Sequence, residues 1–387
     1  MSAGYATKLS YREDLGGQLG DPELHDSTED ISTKAALLAE WLSQSSNVVA
    51  FTGAGISTAC GIPDFRGPSG IWTLQRAHKP IPEFKVSFGV AKPSLTHQAS
   101  SKRCVKCKRE YIRDFEMETV GFKFTGRRCI ADGCNGRLKD QVLDWEDALP
   151  VDELTASEKA AAKADLAICL GTSLQITPAC NIPLKTTKAG GKLVIINLQK
   201  TPKDSKADLV IHAKCDEIMQ QVMAQLRIPL PAYTRQDAVC VSHTVKKAKS
   251  IHEDTPSFSC TIHVQSVHGP KCPLPLVQQV DLSFQDGVLR PASIRKQPFV
   301  VTRSVSGART THVHVQLQLT DAIDDAHRIQ CFTHDMTTSA AQCQAASSPQ
   351  TYTFTTQNVL YSPCMSKSES SLDEQNCQPP VKRHKST

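Results

Sequence analysis

The chain has 387 residues, room for one large domain or two, and its 44 Lys and Arg against 39 Asp and Glu leave a formal charge of +5. So small a surplus excludes a protein built to coat nucleic acid and allows a local basic patch at most. No apolar run approaches the roughly 18 residues of a membrane span. The opening MSAGYATKLSYRED lacks a signal peptide's hydrophobic core, and an odd fifteen cysteines argue against a secreted disulfide framework, so an intracellular chain with reduced thiols is expected.

Residues 1–30 are polar and Gly-rich and read as an extended arm. Ala35, Leu38, Ala39 and Leu42 recur at helical spacing, which predicts a helix over Ser32 to Trp41 with Ser32 as its cap. Val48-Val49-Ala50-Phe51-Thr52 has the continuous apolar character of a strand buried on both faces. It runs into GAGIST (Gly53 to Thr58), whose glycines allow a tight turn and close approach to a ligand, and a helix start there points N–H groups at a phosphate. GIPDFRG (Gly61 to Gly67) follows as a rigid loop bearing an acid, an aromatic and a cation at Asp64, Phe65 and Arg66. The two segments together make a dinucleotide site the expectation, where a lone glycine turn would not.

Cys104 and Cys107 stand at C-x2-C spacing, and Cys129 and Cys134 follow at C-x4-C spacing with Gly133 suited to the tight turn. Two such pairs suit tetrahedral binding of Zn²⁺ by four thiolates, a closed set that makes the metal structural. Farther on, Ala167 to Leu170 ends in Gly171-Thr172-Ser173, and Leu193 to Ile196 ends in Asn197-Leu198-Gln199. With Val48–Thr52 these are three short strands, separated by helical stretches and ending in small or polar residues. The fold class expected is α/β, a Rossmann-like doubly wound parallel sheet whose strand ends line a ligand crevice. Val210-Ile211 is a candidate fourth strand, and Asp216 to Leu226 a closing helix with Ile218, Met219, Val222 and Met223 inward.

From about residue 238 the pattern becomes period two, clearest in Thr311 to Leu319, and predicts a β-rich module over 255–335. His263, His312 and His314 fall on its polar phase and read as solvated face, not metal ligands. Residues 337–387 are Ser/Thr/Gln-rich and read as a disordered tail, and the basic run Pro379 to Lys385 as a nuclear import signal.

GAGIST with GIPDFRG resembles the sirtuins, the NAD-dependent protein deacylases, and most of all their nuclear branch typified by sirtuin 6. GIWTLQR (Gly70 to Arg76), LDWEDALP (Leu143 to Pro150), LGTSLQI (Leu170 to Ile176) and VIINLQKTPKD (Val194 to Asp204) carry the same likeness, which covers about residues 1–235. It implies an NAD-binding domain over 31–235 with a four-cysteine zinc module inserted at about 100–142. It places Ala54, Gly55 and Thr58 at the pyrophosphate, Phe65 and Arg66 over the nicotinamide ribose, and Trp72 close by. Gly171 and Ser173 would meet the adenine-side ribose and phosphates, Asn197 and Gln199 the adenosine, and Cys215 the adenine. The implied reaction is transfer of an acyl group from a substrate lysine to ADP-ribose, with Trp145 walling the acyl channel and the substrate backbone adding to a strand edge. Histones and other chromatin proteins in the nucleus are the implied partners.

The family's general base, a histidine in a Leu-His-Gly motif, and the Gln-Asn-x-Asp strand end before it normally precede the first zinc cysteine. Here only Ser100 to Arg103 separate Ala99 from Cys104, so several tens of residues with a central strand are expected to be missing. His97, His78 and Gln357-Asn358 offer no substitute, which leaves no catalytic residue to name and predicts a poorly active or inactive chain. A non-catalytic zinc-containing chromatin scaffold and a mono-ADP-ribosyltransferase are the alternatives. No acid is identifiable at the end of a second strand, which counts against a plain nicotinamide dehydrogenase.

Overall fold

A computed structural model of the chain describes residues 8–10, 12–13, 17–81, 101–104, 110–112, 119–129, 131, 133–145, 147–229, 234–248, 256–285, 287, 289–321, 323, 325–341, 343 and 349–357, with backbone alone at 60, 101–104, 110–112, 234–235 and 357. His97, Cys107, the junction at Ala99 and the basic run from Pro379 lie outside these residues.

Helix α1 (Thr28–Gln44) starts ahead of the expected Ser32, because Ser27 is the residue that caps it, accepting the Asp30 N–H at 3.1 Å. Glu29 and Asp30 in its first turn further favour that start. Strands β1 (Val48–Thr52), β6 (Leu166–Leu170), β7 (Lys192–Ile196) and β8 (Leu209–Ile211) form one sheet in the order β1-β6-β7-β8, every pair parallel. The period of two divides their side chains between two cores. Leu166, Ile168, Leu170, Val194 and Ile196 pack on one face with α1 and the closing helix α5 (Cys215–Gln225), which contributes Ile218 and Val222. Ala167, Cys169, Leu193 and Ile195 pack on the other with Leu174, Cys180 and Leu184, the last on the short helix α4 (Leu184–Lys188). Met219 and Met223 of α5 are half-buried.

The strand expected to be buried on both faces is not. β1 lies at the sheet edge with a partner on one side among the described residues, and Val48 is 42% exposed with Ala50 also open. Only Val49 and Phe51 pack against the core. Its composition is that of an interior strand, and its position is that of an edge.

Between β1 and β6, strands β2 (Ser101–Cys104), β3 (Glu110–Ile112), β4 (Phe124–Arg128) and β5 (Arg137–Asp140) make a small antiparallel sheet ordered β3-β2-β5-β4. Helix α2 (Ile71–Arg76) precedes this sheet and α3 (Val151–Lys163) follows it.

The β-rich module exceeds its expected bounds at both ends. It is a sandwich of sheets β13-β10-β9-β16 and β12-β11-β14-β15, opening with β9 (Thr234–Ala248) and closing with β16 (Gln350–Gln357). Between them run β10 (Ser257–Ser266), β11 (Val277–Phe284), β12 (Ala292–Ile294), β13 (Phe299–Ser306), β14 (Arg309–Leu319) and β15 (Ile329–Thr338). Strand β16 falls in the stretch expected to be disordered. Its alternation places Phe354 and Thr356 inside, and the surrounding Ser/Thr/Gln composition hides that pattern. The core joins Phe258, Ile262, Val280, Leu282, Val313, Val315, Leu317 and Met336. His312 and His314 face outward and His263 is half-buried, whereas His243 and His334 are buried.

His243 on β9 and His334 on β15 meet between the two sheets, Nδ1 to Nε2 at 3.0 Å, with the Tyr352 hydroxyl donating to the Thr333 carbonyl beside them at 2.7 Å. Burial pushes the His334 ring below its usual range, outweighing the Gln350 hydrogen bond and the Asp335 charge, which act upward. A histidine depressed in the folded state stabilises it above the unfolded pKa of about 6.5 and loses that contribution as pH falls through the folded value. We therefore expect the sandwich's melting temperature to drop between about pH 7 and pH 5, and His334→Gln to flatten that dependence, as followed by circular dichroism.

Candidate functional site

The tips of the parallel strands are joined by a series of backbone hydrogen bonds. Gly53 N–H donates to the Leu170 carbonyl at 3.0 Å, Gly55 to Gly171 at 2.9 Å, Gly171 to Ile196 at 2.9 Å and Asn197 to Ile211 at 3.1 Å. The glycines are dictated by this convergence. A Cβ on Gly53 would lie 2.5 Å from the Gly171 carbonyl oxygen, and one on Gly55 2.8 Å from the same atom. Gly171 itself sits at φ +55°, where a Cβ would meet the Ile56 nitrogen at 2.6 Å. The close approach expected of the glycines toward a ligand is thus first an approach of one strand tip to the next.

After Gly53 the chain makes a 3-10 turn (Ala54–Cys60), with Ala54 half-buried on the rim. The Thr58 hydroxyl donates to the Gly55 carbonyl at 2.8 Å, so its visible role is to brace the turn. Ser173 is half-buried beyond the β6 tip. The Cys215 thiol packs behind β7, 3.8 Å from the Ile196 carbonyl. Burial and the neighbouring Asp216 push that thiol up to about 12, which keeps it neutral near pH 7.

The GIPDFRG loop folds back on α2. Ile71 N–H donates to the Asp64 carbonyl and Trp72 N–H to the Phe65 carbonyl, both at 3.0 Å. The Asp64 carboxylate accepts the Gly67 N–H at 3.2 Å, and its burial raises its pKa above the usual range. This hairpin stacks Phe65 on Trp72 with centroids 4.4 Å apart, sets the Arg66 guanidinium 4.6 Å over Trp72, and brings Trp72 within 4.7 Å of Trp145. The residues implied for the nicotinamide side and for the acyl channel therefore form one aromatic cluster.

The described part of the polar arm is docked. It crosses the strand tips through Gln18 N–H to Gln175 Oε1 (2.7 Å), Gly20 N–H to the Arg66 carbonyl (2.9 Å), Leu24 N–H to the Leu198 carbonyl (2.8 Å) and Asp26 N–H to the His212 carbonyl (2.8 Å). Gln199 spends its side-chain amide on this arm, donating to the Asp21 carbonyl at 2.6 Å and to Arg66 at 3.3 Å. Asn197 Nδ2 donates to the Gln199 carbonyl at 2.8 Å. Earlier in the arm, Ser10 grips Asp144, hydroxyl to carboxylate at 2.6 Å, beside Trp145. Asp26 and His212 were not singled out from the sequence. His212 follows Val210-Ile211 directly, so the strand-end rule that marks Asn197 marks it equally.

In the small antiparallel sheet, Cys104 ends β2 opposite Leu138 of β5, and the Cys129 N–H reaches the Gly136 carbonyl at 2.7 Å on the other side of that strand. Cys129, Cys134, Ala131 and Leu138 pack together. The backbone thus carries members of both cysteine pairs to strands flanking β5, while Cys107 lies outside the described residues. Asp140, 1% exposed, organises the neighbouring turn, accepting from the Thr119 hydroxyl (2.6 Å) and the N–H groups of Phe122 (3.0 Å), Lys123 (2.9 Å) and Val142 (3.1 Å). A depression of about 750 Å³ lies elsewhere, on the outer face of β11, β12, β14 and β15. Its walls include Asp281, His314 and Cys331, but no glycine turn or cluster of backbone donors marks it as the nucleotide site.

Two substitutions test this construction. Gly171→Ala forces a left-handed backbone and a backbone clash, and is expected to lower domain stability by about 1–3 kcal/mol in urea unfolding. Asp140→Ala strands several part-buried donors and is expected to cost about 1–3 kcal/mol, with loss of amide-exchange protection over 119–123.

The Sir2 family model matches residues 95–178. NAD-dependent protein deacetylase SRT1 of Arabidopsis thaliana is 43% identical over 364 residues, 84% of this chain and 76% of the relative. The SRT1 of Oryza sativa subsp. indica is 44% identical over 348 residues (79% and 70%), and Sirt6 of Drosophila melanogaster 37% over 312 residues (68% and 96%). A solved Sir2 with p53 peptide and NAD⁺ shares 26% identity over 50% of this chain and 98% of that one, with a TM-score of 0.35. Since the chain spans more than two thirds of relatives so similar in sequence, it belongs to the Sir2 family, the sirtuins.

Proposed function

We propose that the chain is an NAD-dependent protein-lysine deacylase of the sirtuin class, in a form that keeps the adenosine half of its cofactor crevice and lacks the catalytic-histidine segment. The observation that carries the cofactor reading is the convergence of three parallel strand tips at Gly53–Gly55, Gly171 and Asn197. A crevice at the carboxyl ends of parallel strands, with glycine turns on its floor, suits a dinucleotide. Ala54, Gly55, Thr58, Gly171 and Ser173 would hold phosphates and ribose, Asn197 and Cys215 the adenosine, and Phe65, Arg66 and Trp72 the nicotinamide side. Gln199 would act through the arm it holds. Bound NAD would supply a ribose whose bond to nicotinamide breaks, nicotinamide leaving as the acyl oxygen takes its place. The chain's own part is to orient that ribose, to exclude water with Phe65, Trp72 and Trp145, and to seat the acyl-lysine against the 143–150 segment.

Two observations support the internal loss. Among the described residues, β1 has an interior strand's composition at an edge position. The alignment with the Arabidopsis relative spans 364 positions yet draws on 84% of a 387-residue chain, so some tens of its positions have no counterpart here. Without the base and the nicotinamide-side strand, acyl transfer is expected to slow by more than the roughly 10²–10⁴-fold typical of a missing general base. The edge position of β1 also favours a second reading, a scaffold that keeps partner surfaces without turnover.

The four cysteines are proposed as a structural zinc site, consistent with the strands that carry Cys104 and Cys129 to either side of β5. Substrates are proposed to be acylated lysines of histones or other chromatin proteins, with residence in the nucleus directed by the run from Pro379.

Calorimetry and a peptide assay test the reading together. We expect ADP-ribose to bind, and deacetylation of an acetyl-lysine histone peptide to run at less than about a hundredth of the rate of an intact relative. Equal turnover overturns the truncated reading, and absence of nucleotide binding overturns the site. Stoichiometric zinc is expected by metal analysis, and its chelation should unfold the segment around 100–142.

A further inference from the structure

Between the arm and the tips of β7 and β8 lies a closed set of hydrogen bonds centred on His212. Its ring Nδ1 stands 2.8 Å from the Asn197 carbonyl. A carbonyl can only accept, so Nδ1 carries the proton and donates, whichever state the other ring nitrogen adopts. The His212 backbone is clasped from the arm in both directions. Its N–H donates to Asp26 Oδ2 at 2.9 Å, and its carbonyl accepts the Asp26 N–H at 2.8 Å. The Lys34 ammonium, in the second turn of α1, holds the same carboxylate oxygen at 2.6 Å. From Asn197 the set continues through Nδ2 to the Gln199 carbonyl, and from the Gln199 amide to Asp21 and Arg66.

We infer that His212 is a positioning residue for nucleotide binding: its ring locks the peptide at Asn197 to the β8 tip, and the 197–199 turn so held carries Leu24 and Asp21, which makes the arm over residues 17–26 a fixed wall of the crevice. This rests on the reading of the strand tips as an adenosine site and adds to it a part outside the ligand's own contacts. The physical basis is pre-organisation. With Nδ2 of Asn197 committed to Gln199, the direction of that amide is set before a ligand arrives, and Oδ1 remains as its acceptor. Loss of the His212 donor frees the 197–199 turn and the arm segment tied to it, so each binding event must order them.

The test uses the full chain, with ADP-ribose as the calorimetric probe and hydrogen exchange as a ligand-free readout. His212→Leu keeps bulk and removes the donor, whereas His212→Asn returns an N–H near the Nδ1 position. We expect His212→Leu to weaken ADP-ribose binding about tenfold, the loss of roughly one hydrogen bond, with the melting temperature of the β-sandwich unmoved. Exchange over 17–26 and 197–199 should quicken in that variant, and His212→Asn should restore both affinity and protection. The proposal is overturned by unchanged affinity in His212→Leu, by His212→Asn binding as weakly as His212→Leu, or by rapid exchange over 17–26 in the unsubstituted chain. A parent chain that binds no ADP-ribose strikes the strand-tip reading itself, and the positioning role with it. Unchanged affinity in His212→Leu of a chain that does bind strikes this proposal alone.

Discussion

The approach of the Gly53–Gly55 backbone to Gly171 is the constraint on which the parallel-sheet domain depends. Here the tips are joined N–H to carbonyl at 2.9 Å in a geometry that puts a Cβ on Gly53 or Gly55 within 2.8 Å of the Gly171 carbonyl oxygen. That contact brings β1 to β6, and the Gly171-to-Ile196 bond carries it on to β7. Everything assigned to the crevice is then a consequence. The 3-10 turn starts where the tips meet, the DFRG loop lies over it, and the arm has a flat row of carbonyls and amides to cross.

The arm and the aromatic cluster are held in place by different physics. Phe65, Trp72, Arg66 and Trp145 stack, so their contact is apolar and cationic over ring faces. The arm is held by directional hydrogen bonds to strand-end backbone, with Asp26 and Gln199 as its side-chain anchors. The β-sandwich stands on a separate core and owes nothing to the strand tips.

Much of the α/β domain was legible. The runs at Val48, Ala167 and Leu193 announced strands through uniform apolar character, and their polar endings marked the crevice side. The composition of β1 points to a buried strand because composition reports the environment for which a strand is suited, whereas its neighbours decide the environment it has. The start of α1 was placed late since Ser27 and Ser32 are both acceptable caps, and only backbone geometry distinguishes them. β16 was overlooked because Phe354 and Thr356 alternate within a Ser/Thr/Gln background that resembles a tail.

By itself the sequence determined local matters: strand and helix character, the turns that demand glycine, paired cysteines at ligand spacing, and motifs specific enough to identify a sirtuin. Period, φ preference and short-range spacing are properties of contiguous residues, so they survive in one dimension. Only the tertiary structure decided that Gln199 holds the arm, that His212 joins Asp26 to Asn197, that Asp140 gathers four donors, and that His243 meets His334 between sheets. Each of those links residues far apart in the chain or turns a side chain in a direction that spacing does not encode. A polar group's partner is set by what folding brings within about 3 Å, and that is a property of the packed chain.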